Sequence, residues 1–416
     1  MFKRQCTVLC HLTIRTSKIA VLSTFDPTCT TAIHSLPQLR NVFLFFIRHL
    51  GSSQGVEQKD VHKKKSDIKF PERTLTVYTC ENIYETWRRQ KKFYHIPESG
   101  VFADIAYIDT VGCNKNTNNE KTPTVLCIHG IPGNYGVFSH LINDLSNEGV
   151  RVIVPTFPGC SVWLQQETGI YWQVFVNMPY KATLYLSGKH KKELFRHSVE
   201  EKTQVFKDFL KALDVSELDG IIAHSSAIYP ALRLALDSDL KVNSQVFFNT
   251  GGHRETVTMK PYWVVWICSY LYLNAFGRML VQKIGKFLMK YVMRTPIKDD
   301  NFDGIMLLAI TMVFSECWNA SEEFQAIAQK KIPTLYAFSE DDKVVEKKLT
   351  YDVISLLGAC EENINFYDKN GVLKKEGKDL HWLTLISFEE GSHYVFRKYP
   401  QLCNMKVLEL LKRTRS

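Results

Sequence analysis

From Thr124 onward the chain alternates short apolar runs with longer segments whose apolar residues recur every three or four positions. Runs of that length fit strands buried on both faces, and the longer segments fit the helices that cover them. The runs are Thr124–Ile128, Val150–Pro155, Gly220–Ala223, Gln245–Asn249, Thr334–Phe338 and Trp382–Phe388. Ahead of them, Val101–Thr110 also has strand character and leads into a polar, asparagine-rich turn at Asn114–Lys121. Ser198 and Glu201 have the spacing of a capping box, and Val205, Phe206, Phe209, Leu210 and Leu213 follow at helical spacing. Strands and helices alternating in this way predict an α/β fold around a buried, mostly parallel sheet.

The rhythm breaks between Gly251 and Ala320, where Tyr262, Trp263, Trp266, Tyr270, Tyr272 and Phe276 crowd a helix-like stretch. Its apolar run is shorter than the ~20 residues that cross a bilayer. It reads as an insertion over about 251–320. One role for it is a lid over a site, the preferred reading. The other is peripheral membrane contact through residues 262–290, with Lys283, Lys286 and Lys290 turned to lipid headgroups.

Upstream, residues 1–56 hold a single acid, Asp26, against Lys3, Arg4, Arg15, Lys18, Arg40 and Arg48, and are rich in hydroxyl side chains. That bias fits a mitochondrial presequence better than a secretory signal, the alternative being an unstructured extension on a cytoplasmic protein. The charged segment 57–75 reads as a linker, which leaves 76–416 as the folded domain. The formal net charge of +9 is dispersed, and its densest clusters, Lys63–Lys65 and Lys189–Lys192, are not interleaved with aromatic residues, so no nucleic-acid partner is expected. Eleven cysteines with no CxxC pair point to neither a disulfide framework nor a metal site.

Four motifs fall at strand ends. His129-Gly130-Ile131-Pro132-Gly133 follows the first run, where a glycine-rich turn lets backbone N–H groups approach a ligand. Ala223-His224-Ser225-Ser226-Ala227 lies between a strand and a helix, the place of a nucleophile elbow that lifts a serine above the sheet. Centring the small residues selects Ser225 over Ser226, although Ala223 and Ala227 stand where glycines are usual. Ser339-Glu340-Asp341-Asp342-Lys343 follows Thr334–Phe338 and offers a carboxylate: Asp342 is preferred for its spacing, with Asp341 left open. Gly391-Ser392-His393 follows the last run and completes the chain order Ser, Asp, His. In such a set His393 is the general base, Asp342 holds it in the right tautomer, and the N–H groups of Ile131 and Ser226 form the oxyanion hole. His224 is expected to pack beneath the nucleophile rather than act as a second base.

Together HGIPG, AHSSA, SEDDKVV and GSH, with Phe157-Pro158-Gly159, resemble the α/β-hydrolase superfamily over about residues 124–400. The chain is more narrowly similar to a nematode-centred family within it, a resemblance that implies a fold but no substrate. The HG-x-PG form also occurs in epoxide hydrolases and haloalkane dehalogenases of the superfamily, whose nucleophile is an aspartate. A serine at 225 instead implies acyl transfer to water through a serine ester, which needs no cofactor. The expectation is a serine hydrolase acting on a small-molecule ester, thioester or amide whose acyl part is apolar. The alternative is a catalytically silent hydrolase fold that binds a ligand, lipid or protein partner.

Overall fold

The computed structural model describes residues 70–92, 96–111, 122–131, 133–157, 196–256, 259, 262–272, 275–287 and 302–415. The chain divides into two units, Met1–Gln38 and Leu39–Ser416, and the described residues all belong to the second. The extension 1–56 with its presequence features, the linker as far as residue 69, the turn at 114–121, Pro132, Pro158, Gly159, the Lys189–Lys192 cluster and Lys290 lie outside the described residues.

In chain order the elements are β1 (Glu72–Thr79), α1 (Glu81–Gln90), β2 (Val101–Asp109), β3 (Thr124–Ile128), α2 (Ser139–Asn147), β4 (Arg151–Pro155), α3 (Val199–Ala212), β5 (Gly220–His224), α4 (Ile228–Leu236) and β6 (Gln245–Phe248). Among the described residues there follow the helices α5 (Tyr262–Tyr272), α6 (Ala275–Phe287), α7 (Phe302–Val313) and α8 (Ala320–Lys330). The chain ends with β7 (Thr334–Ser339), α9 (Lys347–Leu356), β8 (Ile364–Tyr367), β9 (Leu373–Lys375), β10 (Leu383–Phe388), α10 (Val395–Lys398) and α11 (Pro400–Arg413). Among the described residues ten strands form one sheet in the order β1-β2-β4-β3-β5-β6-β7-β10-β8-β9. Pairing is parallel from β4 to β8 and antiparallel where β1 meets β2, β2 meets β4 and β8 meets β9.

This is the expected fold class, and each apolar run of the sequence is a strand of the sheet. The central strands are buried at almost every position and mostly apolar because helices cover both faces. In β3, Leu126 and Ile128 enter one core with Phe206 and Phe209 of α3 and Leu232 of α4. Val125 and Cys127 enter the other, with Leu141 and Ile142 of α2 and Val407 and Leu411 of α11.

One boundary differs from expectation. β1 begins at Glu72, inside the stretch read as linker, because an edge strand that exposes its first residues carries no continuous apolar run. α1 follows at once and buries only Tyr84 and Trp87, one turn apart.

The capping box of α3 forms as the spacing predicts: Glu201 N–H donates to Ser198 Oγ (3.1 Å) and Ser198 N–H to Glu201 Oε2 (2.9 Å). Glu201 is fully buried, and it also accepts from Tyr84 Oη (2.9 Å) and from the backbone N–H of Arg196 (3.0 Å). Burial raises its pKa, and the hydrogen bonds from Arg196, Ser198 and Tyr84, with the Arg196 charge, oppose the rise. The carboxylate thus ties α1 to the start of α3. Glu201→Ala removes an acceptor shared by three groups and is expected to lower unfolding free energy by about 3 kcal/mol, read by urea denaturation.

Candidate active site

The carboxyl ends of β3, β5, β6, β7 and β10 lie along one edge of the sheet, and the loops leaving that edge hold all four motifs. After β5 the chain turns through Ser225–Ala227 into α4. Ser225 sits at φ 57°, a left-handed conformation uncommon for a residue with a Cβ. Ala223 and Ala227 are fully buried on either side of it. Alanine in place of glycine at those positions therefore coexists with a tight turn. The Ser225 carbonyl accepts from the N–H of Gly251 (3.1 Å), which ties the turn to the end of β6.

Gly130 is required by space and not by its backbone angle: a Cβ there would lie 2.5 Å from Ser225 Cβ and 3.1 Å from Ser225 Oγ. At Gly133 a Cβ would lie 2.7 Å from the Gly130 carbonyl oxygen. The motif's glycines thus let its loop pass against the elbow. Ile131, the residue expected to supply an oxyanion N–H, donates that N–H to Ser226 Oγ (3.2 Å).

On the other side, His393 Nδ1 donates to Asp342 Oδ2 at 2.8 Å, with both side chains buried. The other oxygen of Asp342 accepts from the N–H groups of Val344 (2.7 Å) and Val345 (3.1 Å). Asp341 does a different job, accepting from the N–H groups of Gly391 and Ser392, each at 2.8 Å, and so anchoring the loop that carries His393. With Nδ1 committed to Asp342, His393 presents Nε2 as its acceptor. Among the described residues no hydrogen bond joins Ser225 Oγ to His393. Their loops are nonetheless fastened to each other, since His224 Nε2 donates to the His393 carbonyl (2.9 Å) and the two rings lie 4.8 Å apart.

Asn249 is a member of this cluster that sequence reasoning passed over. It ends the β6 run at φ 44° and its Nδ2 donates to Asp342 Oδ2 (2.9 Å), to the Ser392 carbonyl (3.1 Å) and to Ser339 Oγ (3.3 Å). Its Oδ1 accepts from Val395 N–H (3.3 Å). One amide thereby fixes the carboxylate and the histidine loop together. Its type was a usable signal, because asparagine is among the few residues that tolerate the left-handed region.

Residues 123–364 match the family described as the alpha/beta hydrolase fold, a span of more than half the chain. The chain belongs to that family. Among solved structures, this α/β hydrolase is similar to a thermophilic esterase from Thermogutta terrifontis (11% identity, covering 83% of this chain and 100% of that one, TM-score 0.47). It is also similar to the haloalkane dehalogenase DbeA from Bradyrhizobium elkani (12% identity, 75% and 95%, TM-score 0.46). A third similar structure is an α/β-hydrolase enzyme from a Medee basin deep-sea metagenome library (13% identity, 74% and 94%, TM-score 0.43). No curated protein matches.

The histidines beneath the hydrolase site have a consequence for stability. His129 is fully buried, with Nδ1 donating to the Gly130 carbonyl (2.7 Å) and Nε2 accepting from Phe157 N–H (3.1 Å). Burial lowers its pKa from 6.5 to about 4, and burial followed by the nearby His393 lowers that of His224 well below 6.5. Both are neutral in the fold and take up protons more readily in the unfolded chain. The contribution of His129 is therefore complete above pH 6.5 and is lost as pH falls through about 4, and that of His224 is lost in the same direction. His129 alone is expected to account for up to about 3 kcal/mol of that loss. Denaturant titrations at neutral and mildly acidic pH, on wild type and His129→Gln, check this: the variant is expected to show the shallower decline.

Proposed function

We propose that this chain is a serine hydrolase that cleaves an ester, thioester or amide with an apolar acyl group through an acyl-enzyme. The observation that carries the reading is the buried Asp342–His393 pair at 2.8 Å, on the same sheet edge as a serine held at φ 57° between a strand and a helix. In the reaction His393 Nε2 takes the Ser225 proton as Oγ attacks the acyl carbon. The negative charge that forms on the carbonyl oxygen is received by the N–H groups of Ile131 and Ser226. Collapse of the tetrahedral adduct breaks the bond to the leaving group, which takes the proton from His393. Water then repeats the sequence on the acyl-enzyme and frees the acid.

The Ile131 N–H is bonded to Ser226 Oγ, so engagement of a substrate oxygen requires that hydroxyl to turn aside. Asp342, held by Asn249 and two backbone N–H groups, stabilises the imidazolium. The preference for an apolar acyl group rests on the apolar composition of the insert, α5 to α7, read as a lid, and there on its buried side chains and not on the exposed Trp263, Trp266, Tyr270 and Phe276. Affinity with the nematode-centred family rests on sequence resemblance alone.

Labelling of the full chain with a fluorophosphonate probe tests the proposal. Wild type and Ser226→Ala are expected to label, and Ser225→Ala and His393→Ala are not. A folded wild type that neither labels nor hydrolyses a short-chain nitrophenyl ester overturns the proposal in favour of a silent, ligand- or partner-binding fold.

A further inference from the structure

Helices α5 and α6 are turned inside out. The exposed positions of α5 are 263, 266, 267, 270 and 271, and those of α6 are 276, 279, 280, 283 and 284. Both sets follow the i, i+3, i+4, i+7, i+8 spacing of a single helical stripe, the spacing that normally marks the side facing the core. Here the stripe is aromatic and aliphatic and faces solvent: Trp263 is 59% exposed, Phe276 73% and Ile284 49%. Arg278, in the middle of α6, is only 9% exposed and lies over the Tyr272 ring, with its Nε donating to the Tyr272 carbonyl. Two consecutive helices that bury an arginine and expose their apolar stripes present a patch well beyond the scattered apolar residues of an ordinary surface.

The charges select the partner. Between Glu255 and Asp299 the chain carries seven basic residues and no acid, and Lys283 interrupts the exposed stripe of α6. Were a second copy to cover this face, lysines would meet lysines with no carboxylate on either helix to compensate. An anionic surface with an apolar interior satisfies both the stripe and the lysines, and Trp and Tyr suit the boundary between headgroup and acyl chain. No described helix is long and apolar enough to cross a membrane, so these helices would lie in the plane of the surface.

We propose that the outward stripes of α5 and α6 form a docking face for an anionic phospholipid bilayer. The face would bring the insert against the lipid. The assignment does not depend on catalysis.

The test is flotation of the full-length protein with vesicles of phosphatidylcholine and of phosphatidylcholine mixed with phosphatidylserine. Wild type and Ser225→Ala are expected to float alike with the mixed vesicles, and less with phosphatidylcholine alone. The double variant Trp263→Ser/Phe276→Ser, checked for an unchanged melting temperature, is expected to lower the partition coefficient by about tenfold or more, since each substitution withdraws an aromatic side chain from the acyl region. Lys283→Glu is expected to lower binding to the mixed vesicles by about fivefold or more and to weaken its salt dependence. The proposal is overturned if wild type floats with neither vesicle, if the double variant floats as well as wild type, or if the two compositions bind equally. It is also overturned if light scattering shows a wild-type dimer that the double variant converts to a monomer, which would make a second copy the occupant. Loss of fluorophosphonate labelling with flotation intact would remove the catalytic reading and leave this one standing.

Discussion

Asp342→Asn is expected to lower kcat/KM for a short-chain nitrophenyl ester by about 10⁴-fold, and Asp341→Asn to change it by less than about tenfold. The contrast follows from what each carboxylate holds. Asp342 Oδ2 accepts from His393 Nδ1 while Oδ1 accepts from two backbone N–H groups. An amide offers one acceptor oxygen: it must either present NH2 to His393, forcing the proton to Nε2 where it blocks the base, or turn NH2 toward Val344 and Val345 and break the loop. Asp341 uses only Oδ1, accepting from Gly391 and Ser392, and an asparagine oxygen can take over both bonds. Steady-state kinetics on the two variants, with circular dichroism to confirm folding, separates the adjacent acids. Equal losses at both positions would mean that the His393 loop, and not the tautomer, sets the rate.

Gly130→Ala is expected to cost about 10²-fold in the same assay with only a modest effect on stability, about 1–3 kcal/mol. The added methyl would stand 2.5 Å from Ser225 Cβ, closer than real contacts come, and a tight 3.0 Å from the His224 carbonyl oxygen, so either the 129–133 loop or the elbow must withdraw. Withdrawal of the loop carries the Ile131 N–H away from the forming oxyanion, and withdrawal of the elbow misaims the nucleophile. Either movement is expected in kcat more than in KM, because the oxyanion exists only in the transition state. A variant with wild-type kcat would show that the loop has slack and that Ile131 is not a working donor.

How far these residues could be read in advance depended on whether their signal was local. The central strands were legible because burial on both faces makes the run almost continuously apolar, as in Val125–Ile128 of β3 and Ile221–Ala223 of β5. β9 was not, since all three of its residues are exposed and only its pairing with β8 makes it a strand. Ser225 was legible from the small residues at 223 and 227, which pack about it. The choice between Asp341 and Asp342 was open in the sequence because neighbouring side chains on a turn point apart, and only the three-dimensional path shows which one meets His393. The residue type of Asn249 hinted at a turn, but its role was hidden for the same reason. Its partners lie 93 and 143 residues away, and nothing in the local pattern of β6 announces them.

The insert joins β6 to β7, which are adjacent and parallel from Gln245 opposite Thr334 to Phe248 opposite Ala337. Closing a chain excursion between fixed ends becomes costlier only with the logarithm of its length. An excursion of about eighty residues in place of about ten therefore loses only about 2 kcal/mol of chain entropy. Evolution can thus lengthen, shorten or rewrite this segment while the anchored strands keep their register. The parts that would recognise a substrate or a surface are free to diverge at a pace set by ecology, and the parts that would break a bond are not.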